Sequence, residues 1–97
     1  MTDSMFRSAY GEVTKAVVAM RKRAGLTQRQ LAAKIGRELS FVSRIEKGQR
    51  RLDLLEFNWV CRACGTDPVE EATAIFQAFG RAGQSGPKRS KRQSLSK

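Results

Sequence analysis

Residues 25–48, GLTQRQLAAKIGRELSFVSRIEKG, decide the fold. Thr27 offers a hydroxyl cap, and Gln30 three residues on completes a T-x-x-Q capping box. A helix is therefore predicted over about 28–35, burying Leu31, Ala32 and Ile35. Gly36 stops it, at a turn position that wants a left-handed backbone. A second helix is predicted over about 39–46, with Val42 and Ile45 inward and Gly48 just beyond its end. Two helices meeting at a steep angle need a small residue where they cross. Ala32 meets that need.

What remains outward on the second of these helices is Leu39, Ser40, Ser43 and Arg44, spaced at i, i+1, i+4 and i+5 and so sharing one face. These short or forked side chains suit base edges in a DNA major groove. A purely structural helix would more often present Glu and Lys there.

Outward from this pair, a first helix is predicted over about 9–24, with Val13, Val17 and Met20 on one stripe and Gly25 closing it. Residues 1–8 read as a frayed, flexible N-terminus. Downstream, Asp53 with Glu56 at the third helical position announces a fourth helix, expected to bury Leu54, Phe57, Val60, Cys61 and Cys64. Asp67 as cap, Pro68 at the first helical position and Glu70 three residues after the cap start a fifth, running through Ala72, Ile75, Phe76 and Phe79. From Gly80 onward the composition is Gly, Ser, Gln, Lys and Arg with Pro87, too little apolar surface to offset chain entropy. The expectation is an all-α, five-helix domain over 9–79 and a disordered basic tail over 80–97.

The 97 residues allow one small domain and a tail. The formal charge of +10 is unevenly placed. Residues 21–51 carry a net +8, residues 52–79 a net −4, and residues 80–97 six Lys or Arg and no acid. A basic block beside an acidic flank suggests one surface for a polyanion and another facing elsewhere. No apolar run approaches the roughly 20 residues of a membrane span, and no signal-peptide pattern opens the chain, so no membrane partner and a cytoplasmic setting are expected. Cys61 and Cys64 form a lone C-x-x-C with no His or further Cys to complete a zinc site. They fall on an apolar helical stripe and read as core. No cofactor and no metal are expected. The lack of His and of a nucleophile–base pair argues against an enzyme.

The stretch from Leu26 to Gly48 resembles the helix-turn-helix superfamily of lambda-repressor and Cro-like (XRE) proteins, whose pattern L-T-Q-x-x-L-A-x-x-x-G-x-x-x-x-x-[IV]-S-x-[IWY]-E-x-G it follows almost without gaps. A narrower likeness runs from Gly36 to Phe57, similar to the pattern G-R-P-Q-S-F-V-S-K-x-E-x-G-x-R-R-L-D-x-x-E-F of a subgroup of small bacterial regulators. The resemblance covers residues 13 to about 76. It implies that Leu39, Ser40, Ser43 and Arg44 face bases, with Arg44 reaching guanine O6 and N7 together. It implies that Gln28 caps the second helix and bonds a phosphate, that Arg29 stands beside it, and that Lys47, Gln49, Arg50 and Arg51 form a loop meeting phosphates. Arg21 and Glu46 match positions that form a partly buried ion pair. Glu38-Leu39 stands where the subgroup has Pro-Gln, so the operator sequence cannot be copied from relatives.

The function implied is a sequence-specific, double-stranded-DNA-binding transcriptional regulator of the bacterial cytosol and nucleoid, a repressor binding an inverted repeat as a homodimer. The alternative is an antitoxin or protein-interaction module on the same fold. A further rival is non-specific nucleic-acid binding through Lys88, Arg89, Lys91 and Arg92 of the tail. Phe41 is exposed by simple periodicity, and packing toward the loop and Phe57 is favoured over a thymine-methyl contact. Tyr10 and Trp59 fall off their core stripes, and Trp59, Ile75, Phe76 and Phe79 mark the acidic half as the expected dimer surface.

Overall fold

The computed structural model describes the backbone of residues 2–82 and the side chains of residues 9–81. The basic residues of the tail beyond Ala82 lie outside the described residues. Within them the chain forms five helices: α1 (Thr2–Arg23), α2 (Gln28–Lys34), α3 (Leu39–Glu46), α4 (Leu54–Ala63) and α5 (Pro68–Ala82). No strand occurs among the described residues.

Local chemistry sets the boundaries. Thr27 Oγ1 accepts from the Gln30 N–H at 3.0 Å, and the Gln30 side chain accepts from the Thr27 N–H at 2.8 Å. The Asp53–Glu56 pair closes the same box at α4. Together they satisfy donors that a helix start otherwise leaves open. Gly36, at φ +67°, ends α2: its N–H reaches Ala33 O, and the Arg37 N–H reaches Ala32 O at 2.9 Å. This double closure is available because glycine enters the left-handed region without a Cβ clash. It recurs after α1, α3 and α4.

Four boundaries or placements differ from expectation. Helix α1 begins at Thr2 rather than near residue 9, because nothing before Gly11 breaks a helix. Helix α5 passes through Gly80 to Ala82, since one glycine costs only about 1 kcal/mol in a helix interior. At α5, Asp67 accepts from the Val69 N–H at 3.3 Å, but exposed Glu70 does not bond back to it. Glu71 takes the anchoring role instead, accepting from Arg23 at 2.8 Å and from the Thr66 hydroxyl at 2.6 Å, which fastens α5 to the end of α1. Leu54 is 86 % exposed rather than buried, because at the first residue of α4 it overhangs the edge of the core.

The core is built from Val17 and Met20 of α1, Leu31 and Ala32 of α2, Phe41, Val42 and Ile45 of α3, and Val60 and Cys61 of α4. The residues each helix contributes are adjacent or three to four apart, so each helix presents a single apolar face. Helix α5 adds Ile75 and packs along α1 and α4. Ala32 is buried on α2, which packs against α3.

Candidate nucleic-acid interface

The core stripe of α3 fixes which of its residues face outward. With Phe41, Val42 and Ile45 buried, Ser40 and Arg44 are exposed, and Leu39 and Ser43 are half-buried at the rim. Arg44 makes no side-chain hydrogen bond or ion pair among the described residues, so its guanidinium is free to act on something outside the chain. Glu38 caps α3 through its backbone only, with no side-chain bond to the helix N-terminus. A carboxylate on a two-methylene stem reaches past the N–H groups from which a Ser or Asp side chain would accept.

The other end of α3 is tied down by a carboxylate shared among three helices. Glu46 Oε2 accepts from Arg21 Nε at 2.7 Å and Glu46 Oε1 from Arg21 Nη2 at 3.0 Å. Arg21 Nη1 also donates to Leu26 O at 2.9 Å, and Gln28 Nε2 donates to Glu46 Oε1 at 2.8 Å. Gln28 is thus the first residue of α2, not its cap, and half of its amide donor capacity is already engaged. The cap is Thr27.

Of the residues expected to meet phosphates, Arg29, Lys47 and Gln49 are exposed. Arg51 is also exposed and lies over the Tyr10 ring at 5.5 Å, while the Leu52 N–H donates to the Tyr10 hydroxyl at 2.8 Å. Tyr10 therefore fastens α1 to the loop before α4. Arg50 is directed inward: Nη1 and Nη2 meet Glu56 Oε1 and Oε2 at 3.0 and 3.1 Å, and Nη1 also donates to Arg51 O. Three of its five N–H groups are engaged within the protein.

A helix-turn-helix domain family matches residues 17–74 of the chain. An XRE-family-like protein from Pseudomonas syringae pv. tomato str. DC3000 is 38 % identical, with a TM-score of 0.72 over 79 % of this chain and 94 % of that one. The chain belongs to the XRE family of helix-turn-helix proteins. Two structures of the clp gene regulator ClgR from Corynebacterium glutamicum share the fold at 22 % identity, with TM-scores of 0.63 and 0.65. They cover 74 % and 81 % of this chain and 90 % and 82 % of their own. No curated protein matches this XRE-family chain.

Sequence reasoning missed the role of Glu56 in this XRE-family protein. Besides its place in the capping box it is buried, holds Arg50 with both oxygens, and lies 3.6 Å from Arg37 Nη2. The signal was present in the subgroup pattern, which keeps both the Arg and the Glu. Phe41 is buried, as packing would have it, but its neighbours are cations: the Arg37 and Arg50 guanidinium groups lie over its ring at 4.7 and 4.6 Å. Cys61 is fully buried, donates to Met20 Sδ at 3.6 Å, and burial pushes its thiol up to about 12. It packs as a small hydrophobe and is unreactive.

Both structural carboxylates make stability depend on acidity. Burial pushes the Glu46 carboxyl up, but hydrogen bonds from Arg21 and Gln28 outweigh it and hold the group below its ordinary 4.5. Bonds from Arg50 and from the Asp53 N–H lower Glu56 likewise. The unfolded chain therefore binds protons that the folded one refuses. The contribution is complete above about pH 4.5 and is lost as pH falls through the lower folded values. Urea midpoints should be level between pH 7 and 5.5 and fall between pH 4.5 and 3. A midpoint that rises on acidification contradicts the assignment.

Proposed function

We propose that this protein is a sequence-specific regulator of transcription that binds double-stranded DNA with α3 in the major groove. The observation that carries the reading is the outward face of α3, where Ser40 and Arg44 stand exposed on a helix whose C-terminal end is held by the Glu46 junction. Leu39 and Ser43 complete the base-facing set. Arg29, Lys47, Gln49 and Arg51, with the second N–H of the Gln28 amide, supply phosphate contacts around it. Arg50 acts through Glu56 rather than by reaching DNA.

A single α3 reads only a few base pairs, which favours a homodimer on an inverted repeat with half-sites about 34 Å apart. Support for a dimer comes from the side of the molecule built by α1, α4 and α5. There an apolar groove of about 330 Å³ is lined by Tyr10, Val13, Leu54, Phe57, Phe76 and Phe79, and Phe76 is 66 % exposed. Trp59 is not part of it, lining a separate cleft with Lys34, Ile35 and Arg62. Occupying a promoter in this way most simply represses it.

Selection of duplexes from a random pool, followed by titration, tests the proposal. Arg44→Ala should bring affinity for the selected duplex down to that for random DNA, since one bidentate arginine–guanine contact discriminates by about 1–3 kcal/mol. Lys47→Ala should weaken both duplexes alike. No enriched sequence in the pool, or equal losses on both duplexes for Arg44→Ala, rejects the reading.

A further inference from the structure

We infer that Arg37, in the turn between α2 and α3, is a DNA phosphate contact held ready by a stack of Phe41, Arg50 and Glu56; the inference rests on the DNA-binding reading above.

The backbone of Arg37 is fixed first. Its N–H is bound to Ala32 O at 2.9 Å, directly after the left-handed Gly36. Its side chain then lies over the Phe41 ring, which Arg50 also covers. Glu56 sits behind both cations but treats them differently. Its oxygens make hydrogen bonds to Arg50 and to the Asp53 N–H, whereas Arg37 Nη2 stops 3.6 Å away, too far for a hydrogen bond. Arg37 is thus positioned by ring and charge while no protein acceptor takes its N–H groups among the described residues. Its side chain is 40 % exposed.

The place it occupies is equally specific. Arg37 lines a polar cleft of about 530 Å³ together with Ser40, Arg44 and Arg50, so it borders the base-facing residues of α3 directly. A planar fork of unsatisfied donors, already immobilised, matches two oxygens of one tetrahedral phosphodiester. Holding it in advance removes the ordering cost that a mobile surface arginine bears on binding. Glu38 lines the same cleft and would repel a phosphate there, a repulsion that the Arg37 charge beside it offsets.

The test uses the whole chain, a selected duplex and a random duplex, with affinity measured across a salt series. Arg37→Gln should lower the slope of log affinity against log salt by about 0.9, one phosphate's share, on both duplexes. Arg37→Lys should restore the slope but not the full affinity. Glu56→Gln retains an acceptor for the Asp53 N–H and removes one negative charge, so net charge alone predicts tighter binding. Loss of the stack predicts weaker binding, with circular dichroism reporting an intact fold. An unchanged slope for Arg37→Gln, or tighter binding by a folded Glu56→Gln, overturns the inference. Inorganic phosphate should displace DNA no better than chloride at equal ionic strength; preferential displacement that Arg37→Gln abolishes would reassign the site to the free anion. Preference for the selected duplex that is lost in Arg44→Ala upholds the general reading whatever Arg37 does. If no duplex is preferred, that reading fails, while the slope on random DNA still decides Arg37.

Discussion

Replacing Arg21 by alanine should cost about 3–5 kcal/mol of folding stability, the range for removing one partner of a buried ion pair. Three acceptor contacts disappear with the side chain, two at Glu46 and one at Leu26 O. Glu46, whose side chain is only 7 % exposed, is then left with the Gln28 amide alone. For a domain of this size such a loss lowers the thermal midpoint by roughly 12–40 °C. Lys34→Ala, on an exposed lysine of α2, should stay within about 0.5 kcal/mol and serves as the control. The pair Arg21→Met with Glu46→Leu should recover most of the loss, because matched apolar groups need no counter-charge. If Arg21→Ala is no worse than Lys34→Ala in urea titrations, the three-helix junction is not what holds α3.

The second large effect is expected at Leu31, which is completely buried beneath the α2–α3 crossing. Leu31→Ala removes its transfer free energy and leaves a void that Val42, Ile45 and Val60 cannot fill without moving their helices. A loss of about 2–5 kcal/mol follows. A fold this small has stability of the same order, so the variant should be partly unfolded at 37 °C and folded in the cold. DNA affinity should then track the folded fraction seen by circular dichroism, since Leu31 lies below the binding face. Affinity lost at a temperature where the variant is fully folded would show instead that the void tilts α3.

The helix pair was readable from sequence because its signals are local. The Thr27–Gln30 box, Gly36 and the stripe of Leu31, Ala32, Val42 and Ile45 each act within a turn or two, and α3 spans the predicted residues. What failed depends on the environment. Periodicity places Leu54 on the α4 stripe, but only the structure reveals that its side chain overhangs the edge of the core. Phe41 lies off its stripe and is nonetheless buried, because side chains from the turn and the loop lie over it. Arg50 reads from sequence as any loop arginine, since no composition rule shows that it also pairs with a glutamate six residues on. The start of α1 was missed for the opposite reason: a helix needs no apolar stripe where no breaker stops it.

The freedom of Ser40 and Arg44 from any side-chain bond among the described residues has a consequence for divergence. Residues that address a target and residues that maintain the architecture occupy separate positions on the same eight-residue helix. Exchanging the former leaves the Glu46 junction and the Phe41 stack untouched. A gene duplicate could therefore acquire a new target in one or two substitutions without first passing through an unstable intermediate.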